Sequence, residues 1–499
     1  MNLLENPIFL THKRLVHRTG VLAPLIIAGL IGLVFLLGLM ESQRWAANVT
    51  PHETLGKGFY GWIVGLEIVI LFLGGFNRIA QTLAEDQKAG LWDSNRLTPL
   101  KPADIVAGYW LAPALREFYM AAVLAGIGLI IVLSSGLPFT LWLGTQFLIL
   151  TTALFFGLVA LLLGMTFQRS HTGIILLVFF LFGPISLSAG PGRMMTSYLL
   201  PIYGIGQMFG AINPDSNSDW SEPGTFFGLR VPPLLITLAL QSIVSLFLWR
   251  ALVRKTAHPF QTLLLRWEVI AIFATLVLTQ HALLWDVWSG KLATVWEAAR
   301  LKQNYSDRSS FFLPYTQGLT LFIGAALLAF ASPQPEQIRV DAMRLGFRNL
   351  GGVFSRSALP LALLLTGIAT AGLFSQMMFS LAGSLNVFLV ASVNLLEVFL
   401  TGVLLLDFCR LRHQRRAVGF LVLWLFALSI IPLLLGAIFT STIPATFSLL
   451  APGFIALGNQ TDTDWPLLYK VLVAHGVIDV LLFLGWRQQW HQLLNRAAS

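Results

Sequence analysis

"AEDQKAGLWDSNRLTPLKPADIVAGYW", Ala84 to Trp110, is a charged, proline-punctuated stretch set between two apolar runs, 58–76 and 111–133. Each run is long enough to cross about 30 Å of hydrocarbon as a helix. The segment between them therefore has to lie in water, and the chain crosses a membrane on either side of it. The rest of the composition agrees. Of 499 residues, 56% are hydrophobic and 11% charged, whereas a soluble domain carries about a quarter charged residues. A large soluble core would require polar helix faces, and the apolar runs have none.

Working outward, twelve spans are predicted, at 21–40, 58–76, 111–133, 140–166, 173–189, 231–250, 267–287, 313–331, 357–375, 383–406, 417–439 and 469–486. The expected fold is an all-α polytopic membrane protein of about 12 transmembrane helices. The first span is too long for a cleaved signal peptide, and Met40-Glu41-Ser42 offers no small-residue cleavage site. Ahead of it, "THKRLVHRTG" is a basic segment suited to the headgroup region. With both termini cytoplasmic, 23 of the 32 Lys and Arg residues fall at inner segments and 9 at outer ones. That is the positive-inside bias. The +9 net charge then reflects contact with anionic lipid, and nucleic acid is not needed as a partner. The one cysteine, Cys409, is expected in a cytoplasmic loop and excludes disulfides within the chain.

The twelve spans read as a tandem duplication, six plus six. "SNSDW" (Ser216–Trp220) matches "TDTDW" (Thr461–Trp465), and "SLFLWRALVRK" matches "LLFLGWRQQWHQ" at the close of each half. Short basic turns, "MTFQRSHTG" and "LLDFCRLRHQRRAVG", follow spans four and ten. Residues 1–255 then form the first unit, with an interfacial N-terminal segment, a polar cytoplasmic segment at 77–110 and an outer segment at 190–230. Residues 256–499 form the second, with a shorter polar segment at 332–357 and an outer segment at 440–468. Both outer segments are apolar but broken by Gly and Pro. They suit re-entrant pieces packed on protein, with an ordinary extracytoplasmic loop as the alternative.

In the polar segment Asn77 to Leu97 holds no proline and can extend span two as a helix. Thr98-Pro99 is expected to stop that helix. Pro102, with Asp104 two residues on, suits the first turn of the next. Ile105, Val106, Tyr109 and Trp110 share one face of it, suited to the membrane interface. The order Glu85, Lys88, Gly90 and Leu91, then Thr98-Pro99-Leu100 and Asp104-Ile105-Val106, resembles the segment joining spans two and three in permease subunits of ABC-2 type exporters. The family usually has Gly-Thr and Leu-Glu where this chain has Gly90-Leu91 and Trp92-Asp93. The resemblance implies a permease in a plasma membrane, the bacterial inner membrane by kind, with a separate nucleotide-binding ATPase docking on this segment. Glu85, Asp86, Lys88, Gly90, Leu91, Thr98, Pro99 and Leu100 are then the coupling candidates. It also implies two ATPase copies for a fused pair of units, with ATP and magnesium held by them and no cofactor in this chain. A solvated loop whose charges only fix topology is the plain alternative. The second polar segment lacks a Thr-Pro-Leu turn but offers Glu336 and Asp341, so the two docking surfaces are expected to be unequal.

No phosphate loop is encoded: Gly56-Lys57 and Gly290-Lys291 lack the upstream glycine and the following Ser or Thr. Neither a nucleophile elbow nor a metal-binding histidine pair is present, so an enzyme is not expected. Three carboxylates fall within spans: Glu67, Glu397 and Asp479. An ionised one costs at least about 2.5 kcal/mol there. Hydrogen bonding between spans, such as Asp479 with His475 at i−4, is the weightier explanation. A proton or cation pathway is the sharper one. Two rival classes remain: a 12-span secondary transporter driven by an ion gradient, and a membrane scaffold worked by an ATPase without moving a solute.

Overall fold

The computed structural model describes residues 6–18, 20–46, 52–166, 195–200, 202–210, 225–259, 261–283, 323–324, 327–328, 331, 359–379, 385–413, 448 and 464–498. It is almost wholly helical, and the chain divides into two compact units. The first comprises Met1–Gly224 with Arg230–Pro259, and the second Thr225–Leu229 with Phe260–Ser499. Among the described residues, strand structure is confined to Thr225–Phe226 and Leu229–Arg230, either side of a turn at Phe227 and Gly228 with positive φ at both.

The first unit opens with α1 (Pro7–Arg18), capped by Asn6, whose Oδ1 accepts the amides of Ile8 at 3.0 Å and Phe9 at 3.4 Å. Apolar α2 (Leu22–Ala46) follows, then α3 (His52–Ile68), which runs through a π-helical turn at Val69–Gly75 into α4 (Phe76–Lys88). After α4 come the short α5 (Leu91–Leu97) and α6 (Pro102–Leu111). The long α7 (Leu115–Ser134) and α8 (Phe139–Thr166) form a further apolar pair. Two short helices, α9 (Met195–Leu199) and α10 (Ile202–Gly210), pack on α8 and on α11 (Pro233–Ala257). Their buried Tyr198 and Tyr203 meet edge to face at 5.2 Å. The apolar, Gly- and Pro-broken segment at 190–230 thus places its described helices against protein.

In the second unit the described helices are α12 (Arg266–Leu283), α13 (Leu359–Phe379), α14 (Leu385–His413) and α15 (Trp465–Ala498). α14 packs between α13 and α15. Its helix continues through 409, so Cys409 lies within a helix and not in a loop: no Gly or Pro interrupts "LLLDFCRLRH" to end it sooner.

Among the described residues seven helices are long and apolar enough to cross a membrane: Leu22–Arg44, Glu53–Lys88, Leu115–Ser134, Phe139–Met165, Pro233–Ala257, Phe388–Leu405 and Trp465–Gln489. They correspond to spans one, two, three, four, six, ten and twelve of the sequence reading. Spans seven and nine form helices that fall outside this set, α12 being diluted by Arg266, Glu268, Gln280 and His281, and α13 giving only Pro360–Gly372 as a shorter apolar stretch. Spans five and eleven, most of span eight, the polar segment at 332–357 with Glu336 and Asp341, and nearly all of 440–468 lie outside the described residues.

Candidate functional site: a braced polar hairpin and two intramembrane seams

The helix Glu53–Lys88 has 36 residues. At 1.5 Å per residue it is about 54 Å long, well beyond about 30 Å of hydrocarbon. Its polar end, α4, therefore stands clear of the apolar layer. The helix ends earlier than the sequence suggests. Gly90 adopts φ +73, the left-handed conformation that glycine takes without a Cβ clash, and the chain turns there before α5 begins. Thr98 stops α5 in extended conformation, its hydroxyl and amide both directed at the Asn95 carbonyl. Pro102 sits in the first turn of α6 with Asp104 beside it, as the sequence predicts.

Tyr109 holds this hairpin together. It is 1% exposed and lies where α1, α4, α5 and α6 meet. Its hydroxyl donates to Asp86 Oδ2 at 2.6 Å and accepts from Asn95 Nδ2 at 3.0 Å. The rings of Trp92 and His12 meet it edge-on at 5.0 and 5.4 Å. Burial raises the Tyr109 pKa, as does its bond to Asp86, so the phenol keeps the proton it donates. Ile105 and Val106 are buried with Tyr109 against protein, not at a lipid interface; α1 and α11 cover that face of α6. α1 comes close because Gly108 leaves room: a Cβ there would lie 2.9 Å from Ile8. Asn6 Nδ2 donates to the Asp104 carbonyl at 2.5 Å. On the other side Arg96 Nε donates to the Thr256 carbonyl at the end of α11, at 2.7 Å, and its guanidinium pairs with Asp93 at 3.0 Å.

This bracing sorts the coupling candidates. Asp86 is turned inward and serves the hairpin. Glu85, Lys88, Gly90, Leu91, Thr98 and Pro99 are exposed, and Leu100 is half-buried. The outermost apolar residue is Leu97, 89% exposed, which the sequence reading passed over. Asn6, His12 and Asn95 were also missed; no local pattern marks them, because their partners lie up to 98 residues away.

The intramembrane carboxylates are all buried and all meet polar side chains of neighbouring helices. In the first unit Gln146 of α8 donates to Glu67 Oε2 at 2.8 Å, just before the π-helical turn. Such turns are frequent at functional positions. A second buried seam joins α8 to α11, where Gln241 Nε2 donates to Thr152 Oγ1 at 2.9 Å and to the Leu199 carbonyl at 3.1 Å. In the second unit, α14 and α15 face each other through Glu397, Thr401, His475 and Asp479. His475 Nδ1 lies 3.7 Å from Glu397 Oε2, and the Thr401 hydroxyl donates to Asp479 Oδ1. The expected partner of Asp479 is thus replaced: its bond reaches across to Thr401, and His475 faces Glu397. Among the described residues no group of three His, Cys, Asp or Glu side chains is placed to hold a metal ion.

These features define a class: a helical protein with membrane-spanning helices, a rigid polar hairpin between its second and third apolar helices, and polar seams buried within the apolar layer. No family model matches the chain, and no curated protein and no solved structure matches it either.

Proposed function

We propose that this chain is the membrane-spanning permease component of an ATP-driven exporter of the ABC-2 type, seated in a bacterial plasma membrane. Two separate ATPase subunits bind it from the cytoplasm. The observation that carries the reading is the braced hairpin. A helix continuous with a membrane span projects from the apolar layer, doubles back at Gly90 and Thr98, and is tied to α1, α6 and α11. A push on its tip reaches the spans without being absorbed in the turn. Around its turn Glu85, Lys88, Leu91, Asp93 and Leu97 are all exposed, so apolar and charged side chains are both open to a partner there.

The resemblance of Glu85–Val106 to the ABC-2 coupling segment names that partner as a nucleotide-binding ATPase. Copurification from gently solubilised native membranes tests it. The wild-type chain should bring down an ATPase identified by its phosphate-loop sequence. Leu97→Asp should lower recovery about tenfold, because burying one leucine is worth roughly 1.5–3 kcal/mol. Transport in vesicles driven by an ion gradient without ATP would instead establish a secondary transporter, the reading that the buried Glu67, Glu397 and Asp479 favour.

A further inference from the structure

The α14–α15 seam carries three titratable side chains in a place where charge is costly. Glu397 is 7% exposed, Asp479 8%, and His475 is equally enclosed. With both carboxylates ionised and the imidazole neutral, the seam would hold two negative charges inside the apolar layer. Among the described residues the helices packed against it bring no cation to offset them, and on α14 itself the arginines, Arg410 and Arg412, come more than two turns after Thr401. α13 has no titratable residue. On α15 the nearest described cations, Lys470 and Arg487, are exposed and more than a turn away from the pair at 475 and 479. The described residues of 323–331 are Ile323, Gly324, Leu327, Leu328 and Ala331, none of them charged. α12 approaches α14 through Phe273 against Phe399, and its Glu268 and His281 lie at its two ends.

The geometry also shows where positive charge is wanted. Thr401 supplies a donor to Asp479 Oδ1, but among the described residues no donor reaches Asp479 Oδ2. Glu397 Oε2 likewise lacks a hydrogen bond, its neighbour His475 Nδ1 being 3.7 Å away. Two side chains more than nine-tenths buried thus each turn an acceptor oxygen into the seam with nothing to satisfy it. A buried acceptor left so is costly, and a buried carboxylate more so.

We propose that the α14–α15 seam is a proton-binding site that holds two protons when closed, one on Asp479 Oδ2 and one shared between His475 Nδ1 and Glu397 Oε2. Two protons bring the three groups to neutrality and leave no bare anionic oxygen inside the closed seam. The closed seam excludes water from these atoms, so proton loss requires α14 and α15 to part, and a deprotonated seam resists closing again. Proton exchange and the opening of this joint are then one event. This inference stands apart from the ATPase reading, since it concerns only the second unit's own residues.

Infrared difference spectroscopy on the full chain in lipid nanodiscs tests it, because the carbonyl stretch of a protonated carboxylic acid is distinct from carboxylate bands. The wild type at neutral pH should show such a band, fading as the pH is raised. Asp479→Asn, which keeps the shape of the protonated acid, should remove the Asp479 component of the band, and Glu397→Gln the component of the shared proton. A parallel Glu67→Gln sample separates any contribution from the first unit. Should Asp479→Asn fail to fold, Thr401→Val serves instead: removing the donor to Oδ1 should shift the Asp479 band without abolishing it. The proposal is overturned if the wild type shows no protonated carboxyl at neutral pH, or if the band ignores both substitutions. It is equally overturned if the band responds to sodium concentration at fixed pH, which would make a metal cation the ligand.

Discussion

Besides the Glu67–Gln146 contact of the first unit, each unit has a buried polar seam between two long helices, α8–α11 in the first and α14–α15 in the second, and these two are made of opposite chemistry. In the first, Gln241 of α11 donates to Thr152 of α8 and to the carbonyl that ends α9, with no ionisable group taking part. In the second, Thr401 of α14 donates to Asp479 of α15, with Glu397 and His475 alongside. Both meet the same requirement, since a polar atom inside the apolar layer must find a partner on a neighbouring helix. The neutral seam carries no group that titrates, so its two hydrogen bonds are the same at every pH, although Gln241 Oε1 has no hydrogen bond. The titratable seam meets the requirement only while it holds protons. A chain that needed nothing but adhesion between helices could have used glutamine and threonine twice.

The largest expected effect comes from giving the first seam the chemistry of the second. Gln241→Glu puts a carboxylate against the Leu199 carbonyl, which cannot donate, and leaves the Thr152 hydroxyl as its one possible donor. Ionised and otherwise unpaired, it should weaken the α8–α11 contact by on the order of 3 kcal/mol. The protection factor of α11 peptides, that is hydrogen exchange corrected for the intrinsic base-catalysed rate, should then fall with rising pH in the variant and stay flat in the wild type. A flat response in both would show that a lone carboxylate is tolerated there, and the contrast between the seams would lose its meaning.

The converse exchange should have a smaller effect. Glu397→Gln together with Asp479→Asn makes the second seam permanently neutral while keeping its shape. In the wild type, the protection factor of the α15 amides, corrected for the intrinsic rate at each pH, should fall about tenfold on the alkaline side, equivalent to about 1.4 kcal/mol of opening free energy. The double variant should lose that fall and keep its protection factor at neutral pH. Unchanged alkaline behaviour would place the pH response elsewhere in the chain.

The seven spans that appear as long apolar helices among the described residues were readable in the sequence because hydropathy over about 20 residues is a local property, and Pro102 at a helix start is local too. The seams were half readable. Glu67, Glu397 and Asp479 stand out as charges in apolar runs, but Gln146, Gln241 and Thr152 carry no charge and so drew no attention; a lone Gln in an apolar span was the available signal. What each carboxylate touches depends on how helices are rotated against one another. That is why Asp479 was paired with its helical neighbour His475 rather than with Thr401, 78 residues away. In the hairpin the break at Gly90 was missed because one glycine in a polar helix is a weak local stop, and it becomes decisive only once Trp92 and Asn95 are drawn onto Tyr109.

The smallest expected effect has the opposite sign and marks the hairpin off from the second seam. His12 lies between α1 and Asp86, 3.9 Å from the Asp86 carboxylate. Burial lowers its pKa from the ordinary 6.5, and the nearby Asp86 only partly offsets this. In the docked helix the ring therefore stays neutral at a pH where a released ring would take up a proton. Its contribution to docking is complete above about pH 6.5 and declines as acid is added below it. The protection factor of the α1 amides should fall on the acid side, by less than about threefold, and His12→Gln should remove that fall. The second seam loosens when it loses protons and the α1 clasp loosens when it gains one, so a single pH series on the full chain separates them. Acid sensitivity in α15, or alkaline sensitivity in α1, would mean that the charges have been assigned to the wrong joint.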